Sequence, residues 1–285
     1  MKPTERGFLL LTSPLGDPLR KPLTPAAMRR LKQRLKENPV QDPYRHMIPE
    51  DLILLGYSPE QAMHILQLLS EEELLTQYMY PAVRQGIQVL TWITEGYPKS
   101  VLEALKAESP GTLWAKGNLS LLNMPCVSLV GSRELRPENA AFAKAVGQWA
   151  AEHGCALVSG NARGADRTAQ NACLDAGGSV ISVLADDLLS KHAPQGMLLL
   201  SEDGYELPFS AQRAISRNRV IHAMGKYTFV AQASFQKGGT WKGTVQNLRH
   251  GYSQVLCFDD GSAAAAELIR QGAKPISMEE LNTLD

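Results

Sequence analysis

The segment from Cys126 to Asp166 decides the fold of this chain; it is CVSLVGSRELRPENAAFAKAVGQWAAEHGCALVSGNARGAD. It contains two short apolar runs, Cys126–Val130 and Ala156–Ser159, which predict buried β-strands. The residues between the runs predict a helix, because Pro137 suits a first helical turn and Gly154 suits the position after a helix C-terminus. The segment therefore predicts a strand, a helix and a second strand, with a polar loop after each strand.

The same alternation of apolar runs and helical segments continues towards the C-terminus. Strands that are apolar along their whole length alternate with helices when a parallel sheet is covered on both faces. We therefore predict the α/β class, with a doubly wound, Rossmann-like, mostly parallel sheet preceded by a small helical N-terminal domain. The predicted strands are Cys126–Val130, Ala156–Ser159, Ser179–Ala185, Met197–Ser201, Tyr227–Ala233 and Gln254–Phe258.

The first 125 residues carry mostly helical signals. Thr24-Pro25 predicts the start of a helix whose polar face is rich in lysine and arginine, either a solvated face or a patch for nucleic acid. Ser58 and Ser70 each open a capping box that predicts a further short helix, and residues 86–92 resemble a strand. We predict an extension with a basic helix (1–50), a small helical, SAM-like domain (51–98) and a Rossmann-like domain (99–285).

Composition excludes several classes of protein. The 285 residues include 29 Lys and Arg and 29 Asp and Glu, so the net charge points to no acidic or basic partner. The apolar runs are shorter than the roughly 20 residues that cross a bilayer, so we expect a cytoplasmic protein without a membrane segment. The four cysteines form no CxxC pair and the six histidines show no metal-ligand spacing, so we predict neither a metal site nor a cofactor.

Three predicted loops follow strands of the sheet and carry the candidate site. Ligands of open α/β sheets bind beyond the carboxyl ends of the strands, where glycines admit an anion and helix N-termini favour negative charge. Each loop combines glycine, hydroxyl-bearing and basic residues, which suits a phosphate group. The candidate residues are Gly131, Ser132 and Arg133; Ser159, Gly160, Arg163, Gly164 and Asp166; and Lys237, Gly238, Gly239, Thr240, Trp241 and Lys242.

Three of these side chains have structural alternatives of comparable weight. Arg133 stands either beside an anion or in solvent after a tight turn. Asp166 either caps a helix or binds a sugar hydroxyl and orients Arg163. Trp241 either stacks a base or belongs to the core beneath its loop.

The span from Leu207 to Phe258 contains no Asp or Glu. It does contain seven cations, and we interpret Arg217-Asn218-Arg219 together with the third loop as an electropositive face. Hydrolysis of a glycosidic bond normally needs a carboxylate near the ligand, and this span offers none. We therefore expect a binding protein and not an enzyme.

An ordered set of motifs resembles the bacterial DNA-processing protein A family, DprA, also called Smf. The set includes Val130-Gly131-Ser132-Arg133, Ser159-Gly160 with Ala162-Arg163-Gly164, and Arg217-Asn218-Arg219-Val220-Ile221. The chain is similar to a divergent member without the C-terminal winged helix. It has Gln170 and Gln232 where the family usually has histidine and glutamate, and a third loop one residue longer.

The resemblance implies a function, which we state as an expectation. It implies single-stranded DNA binding, protection of that DNA, loading of a RecA-type recombinase onto it, and homodimerisation through the Rossmann-like domain. The motifs alone leave transformation, general recombination and phage defence open as pathways. The alternative is a nucleotide-sensing Rossmann-like module that signals to a partner. Asn247, where nucleotide-cleaving relatives of this fold carry a glutamate, argues against catalysis.

Overall fold

The computed structural model describes residues 1–39 and 46–284. The chain divides into two compact units, Met1–Gln85 and Gly86–Asp285. Residues 40–45, which lie inside the predicted extension, and Asp285 are outside the described residues. None of the helices in the described ranges is long and apolar enough to cross a bilayer.

The first unit is helical. Helix α1 packs against α2, α4 and α5, and buries Phe8, Leu9, Leu10 and Leu11. Arg20 forms an ion pair with Glu71 at 2.5 Å. The first 39 residues therefore share a core with the helices after residue 58, which differs from the predicted separation at residue 50. The helices are α1 (Pro3–Thr12), α2 (Pro25–Glu37), α3 (Pro49–Leu54), α4 (Pro59–Ser70) and α5 (Glu72–Arg84).

The second unit is built on one nine-stranded sheet of order β1-β2-β6-β5-β4-β3-β7-β8-β9. All pairs from β6 to β9 are parallel, whereas β1 and β2 are antiparallel additions at one edge. The predicted α/β class and mostly parallel sheet are confirmed. The strands are β1 (Ile87–Thr91), β2 (Thr112–Gly117), β3 (Cys126–Val130), β4 (Ala156–Ser159), β5 (Ser179–Val183), β6 (Met197–Ser201), β7 (Tyr227–Val230), β8 (Gln254–Phe258) and β9 (Lys274–Ile276).

Helices cover this sheet in two groups. Helices α7 and α8 pack on each other and on β3 and β4, while α10 packs on α6, α9 and α11. Both groups cover strands that are buried almost throughout, which is why the strands are apolar at consecutive positions. The helices of this unit are α6 (Lys99–Leu105), α7 (Pro137–Glu152), α8 (Ala165–Asp175), α9 (Ala211–Ser216), α10 (Asn218–Met224), α11 (Gly238–His250), α12 (Ala263–Arg270) and α13 (Met278–Leu281).

The sheet has a switch point beside its first parallel strand. From β3 the chain winds in one direction through β4, β5 and β6, and then returns to β7 on the other side of β3. Loops that leave neighbouring strands in opposite directions open a crevice at the carboxyl ends, where α/β proteins bind ligands. The loops after β3, β4 and β7 are the three that the sequence marked.

Strand β1 belongs to the second unit. Its five residues pair antiparallel with β2, from Ile87 opposite Lys116 to Thr91 opposite Thr112. The predicted boundary at residue 98 therefore differs from the observed division after Gln85, because backbone pairing ties this strand to the sheet.

Candidate functional site

A cleft of about 770 Å³ opens at the switch point. Three loops and α9 line it. Four of the lining side chains are cationic and two, Glu134 and Asp166, are acidic. The lining residues are Val130, Gly131, Ser132, Arg133, Glu134, Leu135, Arg136, Ala162, Asp166, Ala211, Ala214, Ile215, Arg217, Asn218, Gln232, Ser234, Lys237, Gly238, Gly239 and Thr240.

The loop after β3 is held by the end of β7. The backbone N–H and the hydroxyl of Ser132 both donate to the Gln232 carbonyl oxygen, at 2.9 and 3.2 Å. The Gln232 side chain accepts from the Arg136 N–H at 3.0 Å and donates to the Glu134 carbonyl at 3.1 Å. These bonds fix the backbone around Arg133, whose side chain remains exposed.

The first and second loops approach so closely that only glycine fits between them. A Cβ on Gly131 would lie 2.4 Å from the Cβ of Ala165. Gly164 has φ +86°, and a Cβ there would meet the Ser132 carbonyl oxygen at 2.4 Å. The Ala165 N–H donates to that same oxygen at 3.1 Å. The two loops therefore form one rigid wall of the cleft.

Asp166 organises the second loop from inside. Its Oδ2 accepts from the N–H groups of Gly160 and Ala162, at 3.0 and 3.2 Å. Burial raises the pKa of Asp166, while the nearby Arg217 guanidinium and these two donors act to lower it. The carboxyl group therefore accepts from its own loop, whereas Arg163 pairs with Glu134, so the orienting role for Arg163 stays a prediction.

Arg217 is a buried cation at the base of the cleft, 6% exposed. Its Nη2 donates to the Gly160 carbonyl at 3.1 Å, and its Nε has no hydrogen-bond partner within the described residues. A Cβ on Gly160 would lie 1.6 Å from Nη1, so this glycine makes room for the guanidinium. Burial lowers the pKa of Arg217, and Asp166 acts to raise it.

The third loop brings the start of α11 to the cleft. The N-cap residue of this helix, Lys237, makes no capping hydrogen bond through its side chain, so N–H groups of the first turn face outward with their partial positive charge. Thr240 Oγ1 donates to the Gly131 carbonyl at 2.9 Å, and Asn218 Nδ2 donates to the Gly239 carbonyl at 3.1 Å. Lys237 and Gly238 are exposed at the rim.

Several predicted residues lie away from the cleft lining. Arg163 is exposed and forms an ion pair with Glu134 at 3.5 Å, and Lys242 is exposed on α11. Ser159 is buried and accepts from Gln170 at 2.6 Å. Trp241 is 8% exposed, so its ring belongs to the core.

Arg219 departs most from its predicted place on the electropositive face. Its guanidinium pairs at 2.8 Å with the buried carboxylate of Glu202 and donates to the Ser216 carbonyl at 2.7 Å. Burial raises the pKa of Glu202, and Arg219 acts to lower it. Arg213 likewise donates to carbonyl groups. Three of the seven cations in the span without acids therefore stabilise the fold: Arg213, Arg217 and Arg219.

Sequence reasoning missed four polar side chains of the cleft lining: Glu134, Arg136, Gln232 and Ser234. Arg136 donates to Asn139 Oδ1 at 3.1 Å and pairs with the carboxylate of Asp260. The position of Gln232, at the carboxyl end of β7, was the signal that could have marked it. Among the described residues no group of His, Cys, Asp and Glu is arranged to hold a metal ion.

The fold and the cleft define a Rossmann-like α/β protein with a crevice lined by basic side chains at its switch point. The sequence model of the family described as DNA recombination-mediator protein A matches residues 88–283. The chain therefore belongs to this family, which confirms the resemblance found in its motifs.

Two named relatives support this family assignment. The DNA processing protein DprA of Streptococcus pneumoniae is 32% identical over 195 residues, which are 64% of this chain and 68% of the relative. Protein Smf of Escherichia coli is 30% identical over 194 residues, 63% of this chain. The aligned part spans only 51% of Smf.

Two solved structures show the same fold. The X-ray structure of DprA from Streptococcus pneumoniae superposes with a TM-score of 0.67 at 24% identity, covering 92% of this chain and 98% of that one. DprA from Helicobacter pylori, described for its single-stranded DNA binding mode, gives 0.58 at 22% identity, covering 69% and 94%.

Proposed function

We propose that this protein binds single-stranded DNA in the cleft at the switch point and acts as a recombination mediator. The observation that carries the proposal is the convergence of Arg133, Lys237 and the uncapped start of α11 on one crevice. Exposed cations and outward N–H groups bind phosphate oxygens without reading a base. The single-stranded DNA binding described for the Helicobacter pylori relative supports the choice of ligand.

The residues of the cleft divide the work. Arg133 and Lys237 contact backbone phosphates, and the N–H groups of Gly238 and Gly239 add donors to the same oxygens. Asp166 and Arg217, which are buried, hold the loops in place. Because the contacts are mainly to phosphate, binding is salt-dependent and nearly independent of sequence.

The proposal is for a non-enzymatic protein. Asp166 is already engaged by two backbone donors, and Glu134 is exposed at the rim. Both carboxyl groups thus have partners of their own, since Glu134 also pairs with Arg163 at 3.5 Å. We further propose that the protein protects single-stranded DNA, loads a RecA-type recombinase onto it and acts as a homodimer; the family description as a recombination mediator supports the loading role.

The test is fluorescence anisotropy with labelled oligothymidylate and a duplex of equal length, at several salt concentrations. We expect tight single-strand binding that falls with salt, and Arg133→Ala to weaken it roughly ten-fold or more because a charged contact is lost. The slope against log salt should also fall by about 0.7 per phosphate contact removed. Arg270→Ala, which also removes an exposed arginine, here on α12 and outside the cleft lining, is the control and should leave affinity unchanged.

Two outcomes would contradict the proposal. Equal affinities for Arg133→Ala, Arg270→Ala and the unmodified protein would remove the cleft as the DNA site. Tight binding of a mononucleotide, without binding of the oligonucleotide, would favour the nucleotide-sensing alternative, since a cleft of about 770 Å³ has room for one nucleotide.

A further inference from the structure

The third loop exposes an aromatic side chain that the sequence did not single out. Trp241 is buried, so its ring faces are not open to a ligand. Phe235 is 46% exposed and packs edge-on against Trp241, with ring centroids 5.3 Å apart and an interplanar angle of 66°. The buried tryptophan therefore supports an exposed phenylalanine.

A tight turn places Phe235 between two residues that line the cleft. The Lys237 N–H donates to the Ser234 carbonyl at 3.1 Å, and Gln236 takes the left-handed region with φ 55°. Ser234 and Lys237, the two ends of this turn, both line the cleft. Phe235 lies two residues before Lys237, and consecutive Cα atoms are about 3.8 Å apart, so the two residues share the same short turn.

A second apolar side chain flanks the same loop. Ile215 lines the cleft and is 45% exposed, and its Cγ1 would be 4.0 Å from a Cβ built on Gly239. Phe235, within the turn, and Ile215, beside Gly239, thus both expose apolar surface close to Lys237 in the chain or in space. Exposed apolar groups beside cations, in a span without acids, suit a ligand that alternates flat apolar rings with phosphates.

We propose that Phe235 stacks on a nucleobase of the strand whose phosphate Lys237 binds. The proposal rests on the single-stranded DNA binding proposed above and assigns the base-stacking role to Phe235 in place of Trp241. Every base has a π-face, so such a contact adds affinity without sequence preference. Duplex DNA keeps its bases stacked on each other, and the contact therefore favours single strands.

The experiment compares two ligands: labelled oligothymidylate and a deoxyribose-phosphate strand of equal length without bases. Phe235→Ala should weaken oligothymidylate binding roughly five- to hundred-fold, while Phe235→Trp retains it. Binding of the abasic strand should be the same in Phe235→Ala as in the unmodified protein. Tyr80→Ala, which removes an aromatic 62% exposed on α5 of the helical unit, is the control and should change neither affinity.

The outcomes separate this inference from the proposed function. If Arg133→Ala weakens binding but Phe235→Ala does not, the stacking role is wrong and the cleft assignment stands. If Phe235→Ala weakens both ligands equally, the side chain supports the loop and does not stack. If it leaves both affinities unchanged and instead converts a dimer to a monomer in sedimentation, Phe235 serves contact between two protein chains.

Discussion

His222 lies in a neutral polar cluster beneath α11. Its Nδ1 is 3.1 Å from Asn247 Nδ2 and 3.3 Å from Thr228 Oγ1, and the side chain is fully buried. Burial lowers the pKa of His222 to about 3. The imidazole therefore remains neutral in the folded protein at pH values where the unfolded chain takes up a proton.

This difference predicts a contribution to acid unfolding. The stabilisation from neutral His222 is fully present above the unfolded pKa of about 6.5 and is lost as pH falls towards the folded pKa, by up to about 1.4 kcal/mol per pH unit. His222→Gln removes the titrating group, so the variant should lose less stability between pH 6.5 and pH 4. Urea unfolding measured across this range checks it; parallel curves for the two proteins would count against a neutral buried imidazole.

Single residues also show where the sequence stops being informative. The composition of loops after strands marked Arg133, Asp166 and Lys237, and the span without acids marked Arg217; all four line the cleft. The sequence did not show that Arg219 pairs with Glu202, because that contact joins elements distant along the chain. Burial of Trp241 was equally undecided, since the composition of its loop fits both a ring in the core and a ring in solvent.

Helices α7 and α8 meet at Gly147. A Cβ there would lie 2.1 Å from the Ala169 carbonyl oxygen, which is backbone and cannot move aside alone. Gly147→Ala should therefore push the helices apart and destabilise the protein by about 1–3 kcal/mol. The matched control is Gly7→Ala in α1, where the nearest atom is 4.0 Å away and the change should stabilise by up to about 1 kcal/mol.

Thermal unfolding followed by circular dichroism distinguishes the two substitutions. Opposite signs of the shift in Tm are expected, because one alanine overlaps a neighbouring helix and the other only improves helix propensity. A raised Tm for both would show that α7 and α8 have room to separate.

Elements of the parallel sheet were the most predictable part of the fold. All six strands predicted from continuous apolar runs are present in the structure. Strands β5 and β7 end two and three residues earlier than expected. Strand β2 was not predicted, because Thr112–Gly117 lacks a long apolar run and gains its order from pairing with β1 and β6.

At the scale of the whole molecule, the division after Gln85 assigns β1 to the sheet. A fragment of residues 86–285 keeps this strand, whereas one of residues 99–285, the boundary expected from sequence, removes it. The shorter fragment loses Ile87 and Leu90, both buried, and uncovers Leu113 and Trp114 of β2.

The longer fragment should therefore unfold at a higher temperature and more cooperatively than the shorter one. Melting curves from circular dichroism make the comparison, and equal Tm values would show that β1 adds nothing to the sheet. The sequence could not place this boundary, because a strand-like stretch does not reveal which neighbour it pairs with.

Strand β9 forms the other edge of the sheet, and its central residue is Pro275. The Ile276 carbonyl accepts from the Asp259 N–H, so the backbone groups of Ile276 point towards the neighbouring strand β8. The backbone groups of Pro275, one residue away, therefore point away from the sheet. An outward proline offers no N–H to an incoming strand. This edge is therefore protected against edge-to-edge aggregation, and a second copy of the chain that approaches it has to dock through side chains and cannot extend the sheet.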